Sequence, residues 1–358
     1  MTMQDGLTFR PITGPDELAL FNQLPYELNH ELDGDLRDGH RQPGWLWVAL
    51  RDGRLAARAG WWARPGFAVP NALDILDIDD SAGAAAIDAA TALLTTAMAK
   101  LVPAGEPPPD YIRFLAPDWR EVPASRRAIE DRMTAAGRTG AQLLVERLRL
   151  EWRPGAKIPA PTGRLRFRPV KDPAELLVLM IGVLDGTLDA HDRDNLGRMS
   201  PKDVATQHYY GELARYTTPR SWWQIAELPG GDPVGFVIPA HNGYNAIIAY
   251  LAVVPKHRGN GYINEILAEG TRILAAQDVP LIRASTDLGN VPMARSFHRT
   301  GWVTTGHQID MTWREYPPPV CEAPPGARRR LARPLSFLVA GHPRSHWPRC
   351  GGLANSTE

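Results

Sequence analysis

The residues with the clearest chemical potential lie in a glycine-bearing turn in the second half of the chain. Residues 247–254 are almost continuously apolar and predict a buried strand, which Pro255 ends. The following residues, 256–262, read Lys-His-Arg-Gly-Asn-Gly-Tyr, and the apolar spacing of 263–274 predicts a helix after them. Unpaired N–H groups at the start of a helix, close to glycines, favour phosphate binding. A plain turn with left-handed glycines is the alternative.

A second group of residues at helical spacing lies further along the chain. Residues 281–285 predict another strand, and Asn290 and Phe297 follow at the spacing of one helix face. Gly301 can end that helix, and Trp302 can begin the next strand. The order strand, turn, helix, strand, helix predicts a mixed α/β domain around these residues.

Together, residues 253–263 and 290–302 resemble two motifs of the GNAT family, the GCN5-related N-acetyltransferases. The first family motif is Val-x-Pro-x-x-Arg/Gln-x-x-Gly-x-Gly/Ala, and the second is Asn-x-x-Ala-x-x-x-Tyr-x-x-x-Gly-Phe. The resemblance covers residues 165–313. It implies a GNAT fold there, with acetyl-CoA as the co-substrate and no metal.

The resemblance also assigns roles to individual residues. It implies that the strand before the turn pairs with the pantetheine amides, that the turn amides hold the pyrophosphate, and that the strands on either side of the helix separate to admit the thioester. The implied acetyl-CoA contacts are Leu251, Ala252, Val253, Arg258, Gly259, Asn260, Gly261, Tyr262, Ile263, Asn290 and Phe297.

The chain departs from the family pattern at the reacting groups. Phe297 stands where the family has a tyrosine that protonates the leaving sulfur, so that role is vacant or has moved. Tyr250, Ser285 and His257 are the candidate catalytic residues, although strand packing is the simpler role for the first two. An alkyl amine arrives protonated at pH 7, so a base is expected. The candidate bases are His241, His257, Glu227 or a water chain.

An acidic segment precedes these motifs and is the candidate acceptor side. Residues 185–198 contain Asp189, Asp192 and Asp194, which could attract a cationic amine. A solvated acidic loop is an equally good interpretation. A metal site with His191 is a weaker one, because the spacing matches no known metal-binding loop.

An internal repeat predicts a second copy of the fold in the first half. Residues 7–12 resemble 165–170, and residues 45–49 resemble 222–226. The fold class is therefore α/β, with a mostly antiparallel mixed sheet and two tandem GNAT (acyl-CoA N-acyltransferase) folds. The predicted divisions are a degenerate GNAT-like domain at 1–152, a linker at 153–163, a GNAT domain at 164–316 and a disordered tail at 317–358.

The corresponding segment of the first copy has no arginine and no Arg-x-x-Gly-x-Gly pattern. Residues 72–83 instead contain four aspartates, where a pyrophosphate would be repelled. Ser81 is predicted to cap an alanine-rich helix that runs to Lys100. We therefore expect this copy to have a structural role or to shape the substrate site. We also expect one acetyl-CoA site per chain.

Composition restricts the classes of partner and the cellular location that the chain can have. Lys+Arg and Asp+Glu are both 40, and a neutral chain has no long-range attraction for nucleic acid or anionic membranes. No run appears long and apolar enough to span a membrane. Both cysteines, Cys321 and Cys350, lie in the proline-rich tail, which fits a reducing cytoplasm. The arginines at 328–330 indicate either a solvated tail or a phosphate-binding patch.

The leading interpretation is an N-acetyltransferase that acetylates a primary amine, with a small molecule as acceptor and a monomer as the assembly. The alternative is a catalytically impaired GNAT-fold module that binds acyl-CoA or a small ligand. The vacant tyrosine position favours the alternative, whereas the intact turn at Arg258–Gly261 and Asn290 favour the enzyme. A nucleic-acid-linked enzyme that uses the arginine-rich tail is a third, weaker reading.

Overall fold

One mixed sheet of thirteen strands runs through the computed structural model, which describes residues 2–4 and 6–314. The elements of the first half are β1 (Thr2–Gln4), β2 (Leu7–Pro11), α1 (Leu18–Phe21), α2 (Leu32–Asp38), β3 (Leu46–Arg51), β4 (Arg54–Trp62), β5 (Ala72–Ile78), α3 (Ala84–Leu101), β6 (Tyr111–Leu115), α4 (Pro123–Arg138) and β7 (Gln142–Trp152).

The second half repeats this order with one more helix before its central strands. Its elements are β8 (Arg166–Pro169), α5 (Pro173–Val183), α6 (Ala190–Leu196), α7 (Pro201–Gly211), β9 (Gln224–Glu227), β10 (Pro233–His241), β11 (Ala246–Val253), α8 (Tyr262–Ala275), β12 (Ile282–Asp287), α9 (Val291–Arg299) and β13 (Val303–Thr312). The repeat and the mixed α/β class are therefore confirmed. Each half ends in one long strand, β7 or β13.

Helices cover both faces of the sheet, so successive side chains of each strand point alternately into the apolar cores on its two faces. In the second half, α8 and α9 pack on one face, where Ile266 and Phe297 are buried. α5 and α7 pack on the other face, where Met180 and Phe236 are buried. Gly235 of β10 is required for this packing, because a Cβ there would lie 2.1 Å from the Ala252 carbonyl oxygen.

The last strand of each half lies in the sheet of the other half. The strand order is β1-β2-β3-β4-β5-β6-β13-β7-β12-β11-β10-β9-β8. β13 therefore lies between β6 and β7, and β7 lies beside β12, with all three contacts antiparallel. The exchange builds one continuous sheet from both halves. The division of the chain at 1–152, 153–163 and 164–316 stays a prediction.

Several local expectations are corrected. Ser81 does not cap α3: Gly83 occupies the cap position, and Ser81 lies in the preceding turn, where Asp79 accepts hydrogen bonds from its amide and hydroxyl. α3 is also long and apolar enough to cross a membrane by length and composition alone. Its buried alanines and leucines pack on the first-half sheet, as in a core helix. The predicted tail, 317–358, lies outside the described residues.

Candidate active site

A slot opens between β11 and β12, the two parallel strands of the second half. The strands pair only at Ala246 with Ile282 and at Ile247 with Arg283. Beyond these pairs β11 continues beside β10, and β12 continues beside β7. Ala249 has no partner in β10, so a β-bulge bends β11 where the slot opens. The separation expected of the two strands is therefore present.

The turn between β11 and α8 presents main-chain amides that have no acceptor. Gly259 and Gly261 have φ angles of 82° and 73°, a left-handed conformation that favours glycine. Gly261 is the N-cap of α8 and provides no side chain to the first helical turn. Within the described residues, the amides of 259–263 donate no hydrogen bond. They form the kind of cradle that holds a diphosphate.

The Arg258 side chain does not add free positive charge to this cradle. Its guanidinium donates to the carbonyl oxygens of Val183, Asp185 and Gly186, at 2.7–3.2 Å, and to that of Val253 at 3.2 Å. Arg258 therefore joins the end of α5 to the turn, and only its main-chain amide remains for a ligand. Lys256 is likewise paired, with Asp232 at 2.6 Å.

The main-chain groups of β11 divide between β10 and the slot. The Val254 amide donates to Val234 at 2.9 Å, and alternate residues of a strand point in opposite directions. Ala252 therefore faces β10, whereas Leu251 and Val253 face the slot. The sequence assigned all three to pantetheine, and the structure favours only the two that face the slot.

Two further predicted acetyl-CoA contacts have structural roles. Asn290 caps α9 by accepting a hydrogen bond from the Met293 amide at 3.3 Å, which leaves its NH₂ group for another partner. Phe297 is fully buried and packs edge-on against Trp302, with ring centroids 5.1 Å apart. The Phe297 ring therefore belongs to the core, and its predicted contact with acetyl-CoA stays a prediction that this packing does not favour.

The start of α6 docks on the strands beside the slot through a cluster of charged residues. The Asp287 carboxylate of β12 accepts a hydrogen bond from the Ala190 amide at 2.7 Å. Arg147 of β7 lies 3.2 Å from Asp287 and 3.6 Å from Asp189. His191 contacts buried Asp310 of β13 at 3.2 Å. Because of the strand exchange, this dock draws on strands from both halves.

The ionisation of this cluster follows from its partners. Burial alone would raise the pKa of Asp189, but Arg147, His191 and two backbone amides lower it below its ordinary value. Burial alone would lower the pKa of His191, but the hydrogen bond and charge of Asp310 raise it. Burial and the charge of Asp189 raise the pKa of Asp287. Asp189 and His191 thus anchor the start of α6 through paired ionisable groups.

The three aspartates predicted to hold an amine have different surroundings. Asp189 is the N-cap of α6 and is committed to the anchor. Asp194 is 3% exposed and paired with Arg198, which does not favour its predicted contact with an acceptor. Asp192 is half-buried and, among the described residues, accepts only from the Thr187 hydroxyl, at 3.3 Å. Burial and the charge of Asp189 raise the pKa of Asp192 to about 6.

Tyr250 lies on the face of β11 that α5 and α7 cover. Its ring packs on Phe236 and on His208 of α7, with ring centroids 5.1 and 4.7 Å away. Within the described residues its hydroxyl has no hydrogen-bond partner. Burial and the charges of Asp192 and Asp189 raise the pKa of Tyr250 well above its usual range, so the hydroxyl stays protonated. A protonated hydroxyl next to the slot can donate a proton.

The other candidate catalytic residues are only partly brought together. Ser285 is exposed and points away from the α8 side, because its neighbour Ala284 packs there; it shares the Tyr250 face. His257 instead bonds Asp232 in the turn before β10 at 2.8 Å, and it does not join the groups around Tyr250. Glu227 is paired with Arg168, and His241 accepts from the Gly243 amide.

Comparison with known proteins identifies the second half. Residues 189–302 match the family model for the acetyltransferase (GNAT) family. Residues 189–302 form a GNAT domain. A search of curated proteins found no match.

Solved structures extend the similarity in fold to the first half. A GCN5-related N-acetyltransferase from Sphaerobacter thermophilus is 15% identical, with a TM-score of 0.54 over 88% of this chain and 98% of that chain. The glucosamine N-acetyltransferase region of a fungal multi-domain GH3 β-N-acetylglucosaminidase is 12% identical, with a TM-score of 0.52 over 86% of this chain and 38% of that chain. A tandem GNAT protein from the clavulanic acid pathway is 16% identical, with a TM-score of 0.45 over 86% and 98% of the two chains.

The GNAT-like first half keeps the geometry of the slot but fills it. β5 and β6 pair only at Leu73 with Tyr111, and the bulge recurs at Asp74. Arg113 of β6 crosses the gap and donates to the Leu76 carbonyl oxygen at 3.1 Å and to Asp77 at 2.8 Å. By alignment of the two bulges, Leu76 corresponds to Leu251, which faces the open slot of the GNAT domain.

An ion cluster holds this filling in place. Asp77 is fully buried and contacts Arg58 and Arg132 as well as Arg113. Burial alone would raise the pKa of Asp77, but the three guanidinium groups lower it. The expectation that these aspartates would repel a pyrophosphate assumed unpaired charges. Three of the four, Asp74, Asp77 and Asp80, are instead paired with arginines, and one of these arginines, Arg113, crosses the slot.

Two groups of the GNAT site were not found from the sequence. His208 has no motif around it, and only its packing on Tyr250 places it there. Arg147 had a signal: residues 147–152 alternate charged and apolar side chains, which indicates a strand with one polar face. Within residues 6–314, no three or more His, Cys, Asp or Glu side chains are arranged to hold a metal ion.

Proposed function

We propose that the GNAT domain transfers the acetyl group of acetyl-CoA to a primary amine of a small molecule by direct attack. The unused amides of residues 259–263, at the mouth of the slot beside β11, carry this proposal. They fit a diphosphate, and the Leu251 and Val253 edge fits the amides of an extended arm. We further propose that the chain acts in the cytoplasm as a monomer.

The acceptor side supports a cationic amine. Asp192 is the one of the three predicted aspartates that is neither buried in an ion pair nor committed to a helix cap. With a pKa of about 6 it is ionised at neutral pH and can hold an ammonium group. Tyr250 then takes the place of the family tyrosine and protonates the sulfur as it leaves. When bound, acetyl-CoA supplies the activated acyl group.

The alternative is a binding module that retains acyl-CoA and has lost turnover. Phe297, buried where the family has tyrosine, favours it. Release of free thiol from acetyl-CoA, measured with the full chain against a panel of small primary amines, separates the two. Amine-dependent thiol release supports the enzyme, whereas binding without release supports the module.

A matched pair of variants tests where acetyl-CoA binds. Gly261→Glu places a carboxylate in the predicted diphosphate cradle, and Gly83→Glu places the same carboxylate at the corresponding cap of α3, where φ is 57°. We expect calorimetry to find that the wild type binds one equivalent of acetyl-CoA per chain. Gly261→Glu should weaken this binding at least about 100-fold, because the added carboxylate repels the diphosphate. The second variant should leave binding unchanged. Two equivalents, or a loss with Gly83→Glu alone, would refute the proposal.

A further inference from the structure

His208 of α7 occupies a position beside the slot that no motif assigns. Its ring lies 4.7 Å from the Tyr250 ring, at an angle of 43°. Tyr250 is the first residue after the bulge at Ala249, where β11 and β12 begin to separate. His208 therefore lies on the acceptor face of the sheet, where the slot opens.

The imidazole of His208 is free to exchange a proton. Within the described residues neither ring nitrogen forms a hydrogen bond, and the nearest acid is Glu212, whose Oε2 lies 3.8 Å from Nε2. The other histidines of residues 164–314 each have a partner atom within 3.2 Å. They are His191, His241, His257, His298 and His307.

Burial favours the neutral form of the His208 imidazole. Burial lowers its pKa below the ordinary histidine value, although Glu212 on the same helix and Asp189 of α6 oppose this. From β11 it faces the protonated Tyr250 hydroxyl, near which lie Asp192 of α6 and the Arg258 guanidinium. A neutral imidazole is the form that accepts a proton, and His208 has it at pH 7.

We propose that His208 is the base that accepts a proton from the acceptor amine. This rests on the proposed function. One proton moves from the ammonium nitrogen to His208, and the nitrogen lone pair then forms a bond to the thioester carbonyl carbon. The carbon–sulfur bond breaks with its electron pair on sulfur. Tyr250 gives its hydroxyl proton to the sulfur and takes up the second proton that leaves the nitrogen, and His208 returns its proton to solvent.

The decisive variant is His208→Gln in the full chain, compared with His298→Gln, an exposed histidine on α9. With saturating amine, we expect kcat to fall at least about 100-fold in the first variant and to stay unchanged in the second. Affinity for acetyl-CoA and the unfolding temperature should stay at the wild-type values. Unchanged kcat in His208→Gln would overturn the assignment.

A second variant tests the base without removing it. Glu212 raises the pKa of His208, so Glu212→Gln should move the acid limb of the kcat–pH profile to lower pH while the activity plateau is retained. The glutamine can still accept the hydrogen bond from Tyr216. An acid limb that does not move, or one that persists in His208→Gln, would overturn the proposal. Absence of turnover in the wild type would instead refute the proposed function.

Discussion

Asp192, which we propose binds the acceptor amine, lowers the stability of the folded protein at neutral pH. Its neighbours Asp189 and Asp194 are fixed by a helix cap and an ion pair, whereas Asp192 has one hydroxyl donor. Burial next to Asp189 raises its pKa to about 6, so ionised Asp192 destabilises the fold at neutral pH. Such a cost is common where a site is arranged for its ligand.

Replacement of Asp192 by asparagine should separate binding from turnover. We expect the KM for a cationic amine to rise about 10–100-fold, the range for a lost charge-assisted hydrogen bond of about 1.5–3 kcal/mol, with little change in kcat. In the wild type, KM should also rise as the pH falls through about 6, because the carboxylate is protonated there. Asp33→Asn, at an exposed position on α2, is the control. A KM that changes neither with the Asp192→Asn substitution nor with pH would contradict this role.

The same substitution has a defined effect on stability. The folded-state pKa of Asp192 is raised, so the wild type loses stability as the pH rises from the unfolded value of 3.8 to about 6, and then no further. Asp192→Asn avoids this loss. Its advantage in unfolding free energy should therefore be constant above pH 6 and disappear near pH 4. Denaturant titrations at several pH values measure this, and an advantage at pH 4 equal to that at pH 7 would argue against it.

At the scale of elements, one arginine connects the two sides of the site. Arg258 lies in the turn before α8 and donates to carbonyl oxygens at the end of α5, which leads to α6 and Asp192. The turn that we propose holds the diphosphate is therefore also joined to the proposed acceptor side.

Loss of the Arg258 guanidinium should affect the acceptor more than the cofactor. Arg258→Met removes four donor contacts but keeps the main-chain amide. We expect KM for the amine to rise about tenfold, equivalent to about 1.4 kcal/mol, with a smaller change in acetyl-CoA affinity. Lys256→Met removes the same charge two residues away and is the control. A larger loss of acetyl-CoA affinity than of amine affinity would show that the side chain contacts the diphosphate directly.

The filled slot of the first half offers a second test at this scale. Arg113→Met removes the guanidinium that crosses from β6 to β5 and leaves buried Asp77 short of one partner. Breaking such a buried pair should cost about 3–5 kcal/mol of unfolding free energy. Arg127→Met, on the exposed face of α4, should cost little. A loss of under 1 kcal/mol in Arg113→Met would mean that the ion cluster does not hold the two strands.

The sequence predicts elements better than it predicts their partners. Repeated strand and helix patterns suffice for the mixed α/β elements, because periodicity and glycines act locally, and the resemblance of the turn at 256–262 and of residues 290–302 to family motifs adds the GNAT fold. The roles predicted for Asp194 and Phe297 depend on which way a side chain points after packing, and the structure places both side chains in the interior. His208 was missed for the same reason. Its role arises from a contact between α7 and β11, which are far apart in the sequence.

For the whole molecule, the exchange of β7 and β13 has consequences beyond the sheet. Arg147 of β7 and Asp310 of β13 both hold α6, so the proposed acceptor side of the GNAT domain depends on the last strand of each half. Side chains reinforce the contact elsewhere: the Tyr244 hydroxyl donates to Asp35 at 3.0 Å, and Arg64 donates to the Gly211 carbonyl oxygen at 3.0 Å. The first half is therefore structurally part of the site, although its own slot is filled.

Cleavage between the halves tests this interdependence. A protease recognition sequence inserted after Gly155, which is exposed, would allow the chain to be cut between β7 and β8. Because β7 pairs with β12, and β13 pairs with both β6 and β7, we expect the two fragments to stay together in gel filtration with light scattering. They should separate only in denaturant, and amine-dependent thiol release should survive the cut. The uncut insertion variant is the control. Fragments that separate in buffer, with acetyl-CoA binding retained by the second alone, would show that the exchanged strands are not what joins the two halves.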